Sequence, residues 1–171
     1  ESIGNLSSLT LLWLNDNQLT TLPESIGNLS SLEWLMLDNN KLTSIPESFG
    51  DLSSLEELSL GWNKLTSIPE SIGDLSSLDK LYLHKNKLTI IPESIWDLSR
   101  LEFLVLHSNK LTHLPESICH LSTCLIYVSG NQLCEEYHYD CIHSWETTIS
   151  KQDQSNCCVG ENGEPNWTRC P

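Results

Sequence analysis

Cysteine is missing from residues 1–118, and all seven cysteines of the 171-residue chain fall between Cys119 and Cys170. Phe and Met are also sparse, occurring twice and once, and leucine supplies the largest share of the apolar content. Positive charge is scarce, with nine Lys and Arg against 23 Asp and Glu and a net charge of −14. A chain of this charge is repelled by phosphate backbones and anionic membrane surfaces, so nucleic acid and lipid are not expected partners. No apolar run approaches the length of a membrane span, so no membrane insertion is expected of this segment. The sequence also lacks a nucleophile elbow, a Gly-rich phosphate loop and an HExxH pair. We therefore expect neither an enzyme nor a bound cofactor.

The confinement of cysteine to one terminal segment has a physical reading. A repeat protein in an oxidising compartment must seal its exposed core end, and disulfides stabilise small caps that lack a core of their own. Cys119, Cys124, Cys134, Cys141, Cys157, Cys158 and Cys170 are the candidates for that framework. The vicinal Cys157 and Cys158 suit it better than they suit a redox site. The count is odd, so one thiol is free, pairs with another chain, or has its partner elsewhere. The connectivity stays open. Three N-glycosylation sequons begin at Asn5, Asn28 and Asn166 and agree with an extracellular location. The xLSS consensus, however, makes a sequon wherever x is asparagine.

What the sequence does have is a period. Pro23, Pro46, Pro69, Pro92 and Pro115 are spaced 23 apart, within the pattern LxxLxLxxNxLTxIPESIGxLSSL. The central LxL alternates with period two, so each repeat is expected to supply a short strand with one face inward. Asn17, Asn40, Asn63, Asn86, Asn109 and Asn131 mark the turn out of each strand, where an amide satisfies backbone groups of its own and the adjacent coil. Proline then stops strand pairing, and PESIGxLSSL reads as a short helical turn opened by proline and ended by glycine. Since the chain opens with ESIGNLSSL, the second half of a repeat, further sequence is expected upstream.

These residues resemble the leucine-rich-repeat family of typical 23-residue repeats, with an extracellular-type cysteine-rich C-terminal cap. The resemblance covers residues 1–133, about six repeats; residues 134–171 carry no repeat and are expected to form the cap. It implies an α/β solenoid, right-handed and curved, with a parallel β-sheet on the concave face and short helical turns on the convex face. It further implies recognition of a protein partner through the concave face. No activity follows from the repeats themselves. Near the cap the pattern degrades: the spacing from Asn109 to Asn131 is 22, and Ile126 and Val128 hold strand positions elsewhere filled by leucine.

Outward positions of the strands carry the functional information, because burial does not dictate them. Trp13, Trp34, Met36 and Trp62 are expected to form one apolar patch, and Tyr82, Phe103, Val105 and Tyr127 a second. The plainer alternative is cross-rung stacking that only stabilises the sheet. His84, His107, Lys80 and Lys85 form a basic spot suited to a carboxylate or an acidic loop. The histidines alone do not complete a metal site, and none is expected. A threonine column (Thr20, Thr43, Thr66, Thr89, Thr112) suggests ice binding, but the flanking Thr21, Ser44, Ser67, Ile90 and His113 do not sustain a second row.

The leading expectation is thus a secreted or cell-surface module that binds or adheres to a protein. The alternative is a structural subunit of an extracellular assembly, through self-association or an intermolecular disulfide. A cytosolic signalling scaffold is a weaker alternative, opposed by the clustered cysteines.

Overall fold

The computed structural model describes residues 2–133 except 115 and 122. Within them the repeat translates directly into architecture. Six three-residue strands, β1 (Leu11–Trp13), β2 (Trp34–Met36), β3 (Glu57–Ser59), β4 (Lys80–Tyr82), β5 (Phe103–Val105) and β6 (Leu125–Tyr127), form one sheet in sequence order. Every pairing is parallel and in register by one repeat, so that Leu35 faces Leu58, Leu58 faces Leu81 and Leu81 faces Leu104. The result is a curved leucine-rich-repeat solenoid. No helix among the described residues is long and apolar enough to cross a membrane.

The inward leucines make one continuous core. Leu35, Leu58, Leu81 and Leu104 are fully buried, as are the second strand-side leucines Leu37, Leu60, Leu83 and Leu106. Each such side chain is worth ~1.5–3 kcal/mol relative to exposure, and each touches only its own coil and the adjacent coils. At the last rung Ile126 and Val128 take these places and are equally buried.

The asparagine column works as a ladder between coils. Asn63 Nδ2 donates to Leu37 O of the preceding rung at 2.9 Å and to Leu60 O of its own at 3.1 Å, while its Oδ1 accepts from Leu42 N at 3.0 Å. Asn40 and Asn86 repeat the arrangement. Carbonyls and amides left over where the strand ends are thereby satisfied inside the stack.

The convex turns are 3₁₀ helices, such as Glu24–Asn28, Glu47–Asp51 and Glu70–Asp74, each preceded by a proline in extended conformation. Glycine does not end them as expected. Gly27, Gly50 and Gly73 sit inside the turns, and leucine follows at the C-cap. Their role is close approach: a Cβ at Gly50 would stand 2.6 Å from Ser71 O of the next coil. Two residues depart from this column, Trp96 and Cys119. Trp96 is 1% exposed and its indole N–H finds no hydrogen-bond partner among the described residues.

Of the seven candidate cysteines, the described residues show the side chain of Cys124 alone, buried in the last rung and without a disulfide among them. Cys124 sits just before β6, and its backbone N–H is held by Leu121 O at 2.9 Å. The side chain of Cys119 and the remaining cysteines lie outside the described residues. So do Asn166 and the whole expected cap, 134–171.

Candidate functional site

Exposure on the concave sheet is uneven, because a small residue on one rung is covered by a large one on the next. Ser59 and Gly61 are buried, whereas Trp13 is 66% exposed, Trp34 40% and Leu11 45%. Register puts Leu11 beside Trp34 and Trp13 beside the half-buried Met36. Three of the four residues expected in the first patch, Trp13, Trp34 and Met36, thus lie together on rungs one and two, with Leu11 beside them. At the far end Leu125 and Tyr127 are exposed, beside the half-buried Phe103 and Val105 respectively. Tyr82 is half-buried on the rung before Val105. Between the two patches runs a polar waist of Glu57, Ser59 and Lys80.

Trp62 belongs to neither strand patch. It stands in the turn after β3, in a column where Asp16, Asn39, Trp62, Lys85 and Ser108 all have positive φ near 53–59°. Asn tolerates this left-handed conformation and Gly130 suits it best; a bulky residue there is costly. Trp62 nevertheless presents its ring to solvent at 53% exposure. The Lys85 ammonium of the next rung lies 3.5 Å from the ring centroid, a cation–π contact.

The expected basic spot is largely spent within the chain. Lys80 Nζ pairs with Glu57 Oε2 at 3.2 Å, and that hydrogen bond, then the Glu57 charge, raises the Lys80 pKa. Lys85 is on Trp62. The rings of His84 and His107 lie 4.9 Å apart, and burial is the main cause that lowers both pKa values from the ordinary 6.5. Asp38 opposes the shift at His84, while Lys85 adds to it at both. His84 packs directly over the Gly61 backbone, where any Cβ would collide with its ring. Among the described residues no group of three His, Cys, Asp or Glu is placed to hold a metal.

Trp62 also lines a recess that the sequence did not single out. Asp16, Asp38, Asn39 and Trp62 enclose an open volume of about 330 Å³. Its carboxylates are held in place. Asn39 Nδ2 donates to Asp16 Oδ1 at 2.6 Å; Ser59 Oγ and Gly61 N donate to Asp38 Oδ1 at 2.7 and 3.0 Å. The only signal in sequence was position: these residues stand one or two places before the asparagines, in columns whose identity varies.

Asn5 and Asn28 are exposed on the convex side. The threonine column is exposed at Thr20, Thr43, Thr66, Thr89 and Thr112.

This geometry, a single parallel sheet of identical coils joined by an asparagine ladder, defines a leucine-rich-repeat protein. Family models agree: a leucine-rich repeat region matches residues 1–88, and a leucine rich repeat matches residues 66–111. The chain belongs to the leucine-rich-repeat family. A search of curated proteins finds no match. Among solved structures it is similar to an internalin from Listeria monocytogenes (28% identity, TM-score 0.72), covering 79% of this chain and 38% of that one. It is similar to a plant peptide hormone receptor solved in complex with the RGF2 peptide (31% identity, TM-score 0.69), covering 77% and 22%. A plant ice-binding protein is similar too (30% identity, TM-score 0.69), covering 77% and 44%. The chain thus spans less than half the length of each of these relatives. Such varied roles on one scaffold mean that function must be argued from the outward residues.

Proposed function

We propose that this chain is a non-catalytic, extracellular protein-recognition or adhesion module whose concave face binds a protein partner. The observation that carries the reading is the exposed apolar group Leu11, Trp13 and Trp34 on adjacent strands. Large aromatics on a rigid sheet lose little entropy on binding and dominate interface energetics. Met36, Tyr82, Phe103, Val105 and Tyr127 extend the surface, and His84, His107 and Trp62 line its edge. Similarity to an internalin and to a peptide hormone receptor supports the same use. The clustered cysteines and the exposed Asn5 and Asn28 support an extracellular setting.

The test is selection of peptides from a random display library on the full chain, followed by a Trp13→Ala/Trp34→Ala double variant. Binding should weaken by about tenfold or more, the scale of an interface hot spot. Peptides that bind wild type and variant alike retire the concave site. Mass spectrometry after alkylation should find one free thiol per chain, and that thiol should be Cys124. Seven free thiols would overturn the extracellular assignment.

A further inference from the structure

The recess beside Trp62 has a chemistry distinct from the strand patches. Its lining presents two carboxylates and a π face, and part of its donor capacity is already used on those carboxylates. The Asn39 amide is used on Asp16, and the Ser59 hydroxyl and Gly61 N–H are used on Asp38. Asn15 Nδ2 also donates to Asp16 Oδ2, at 3.1 Å. Two carboxylates are therefore pinned at one opening. Among the described residues neither Asp16 nor Asp38 forms an ion pair; the pairs that do form use Glu57, Asp79 and Asp97.

Trp62 supplies the remaining wall. Its ring already accepts one cation, since Lys85 sits over it at 3.5 Å. Lys85 belongs to the following rung, whereas Asp16, Asp38 and Asn39 belong to the two preceding ones. Trp62 thus lines the recess together with residues of the two preceding rungs, while its ring takes a cation from the following one. A tryptophan face combined with two fixed carboxylates selects a cation, and a planar one that stacks while donating in its own plane fits best. The chain's net charge of −14 steers a basic partner toward it.

We propose that this recess seats the guanidinium of an arginine presented by the protein partner, stacked on Trp62 and hydrogen-bonded to Asp16 and Asp38. The assignment rests on reading the chain as a protein-recognition module and adds the chemistry of one anchor residue. A sugar would also stack on tryptophan. Its neutral hydroxyls, however, bring no charge to set against the two carboxylates.

The experiment is a ¹H–¹⁵N NMR titration of the full chain at low ionic strength with three probes: N-acetyl-arginine amide, its neutral isostere N-acetyl-citrulline amide, and cellobiose. The arginine probe should saturably shift the Trp62 indole and Asn39 side-chain resonances. The citrulline probe should bind at least tenfold more weakly, and cellobiose should leave those resonances unmoved. Asp38→Asn and Trp62→Asn should each weaken the arginine probe several-fold. The second variant suits the left-handed backbone, and unchanged shifts on the sixth rung certify that both stay folded. Equal binding of citrulline, a response to cellobiose at these resonances, or arginine shifts confined to other residues would each overturn the proposal. The peptide selection separates this outcome from the broader reading. If selected peptides depend on Trp13 and Trp34 while the arginine probe fails, only the recess assignment falls. If the probe binds and the peptides ignore both tryptophans, the strand patch falls instead.

Discussion

Single residues on this scaffold are informative where they break a column, and His84 and His107 break one with chemistry attached. They occupy adjacent rungs with rings 4.9 Å apart, and burial lowers both pKa values below 6.5. The groups that bear on them are Asp38, which favours the charged form of His84, and Lys85, which opposes it at both; each ring also faces the other. In the unfolded chain each histidine titrates near its ordinary value, so between that value and the lower folded one the unfolded state binds more protons. Stability from this pair is therefore fully present above pH ~6.5 and is lost as the pH falls through that value toward the folded pKa. We expect the Tm to decline between pH 7.5 and pH ~5, and His84→Gln to shrink that decline. NMR titration of the ring protons should give midpoints below 6.5 for both residues. A Tm profile indifferent to His84→Gln would show that the pair is not what responds. Trp62 is the other exception in its column, a large ring in a left-handed turn. Strain of that kind persists when something else offsets it, and the Lys85 contact and the recess are the visible candidates.

Among the elements, the convex turn is where sequence and structure part, and the reason lies between coils and not within them. Glycine in PESIGxLSSL has the look of a helix terminator, but its actual constraint is the carbonyl of the next coil. At Gly50 an added Cβ would meet Ser71 O at 2.6 Å and the Ser71 Cβ at 3.0 Å. Gly50→Ala should therefore force neighbouring coils apart and destabilise by ~1–3 kcal/mol, the usual cost of overpacking. Asn28→Asp, at an exposed position that later repeats fill with Asp51, Asp74 and Asp97, should change stability by less than ~0.5 kcal/mol. Urea unfolding of both variants checks the contrast, and equal midpoints would remove close approach as the reason for glycine. The strands, by comparison, were fully legible. A leucine that recurs every 23 residues can bury itself only by stacking in register, and Leu35, Leu58, Leu81 and Leu104 do so. The asparagine turns were legible for the same reason. The concave site was legible only in part. Which outward residue reaches solvent depends on the size of its neighbours one rung away, so Ser59 is buried and Leu11 exposed. The recess of Asp16, Asp38 and Asn39 arises from side-chain orientation in the turn, and no periodic pattern encodes that. Cys124 follows the same rule: its burial comes from the stack, and with it a thiol pKa raised to about 12, chiefly by desolvation.

For the whole molecule, a repeat multiplies charge as faithfully as it multiplies leucine. Glu33, Glu56, Asp79 and Glu102 stand on successive rungs, and backbone hydrogen bonds lock them in register: Glu56 N to Glu33 O, Asp79 N to Glu56 O, and Glu102 N to Asp79 O, each 2.8 Å. Like charges on backbones about 4.8 Å apart repel, and register limits how far their side chains can splay while the stack holds. The Arg100–Asp79 pair at 3.9 Å relieves one member, and it is largely exposed and thus weak. Lys41, Lys64, Lys87 and Lys110 form a positive column after the asparagines, but nine Lys and Arg cannot balance 23 acids. The unfolded chain spreads the same charges over a much larger volume, so this repulsion acts mainly on the native state. Salt should therefore stabilise the protein. The screening length shrinks from about 30 Å at 0.01 M to about 3 Å at 1 M, enough to cover a repulsion between adjacent rungs. We expect the Tm to rise by roughly 3–6 °C from low salt to ~0.5 M NaCl, corresponding to ~1–2 kcal/mol for a chain of this size. Replacing Glu56 by Gln should reduce the salt response while raising the low-salt Tm, because it breaks the column at an inner rung. A Tm that falls with NaCl would mean that attractive pairs such as Lys80–Glu57 outweigh the columns. Binding offers the opposite sign: an arginine at the recess is held by charge, so added salt should weaken the partner while it firms the scaffold. A partner whose affinity rises with salt would instead be held by the apolar patch of Leu11, Trp13 and Trp34.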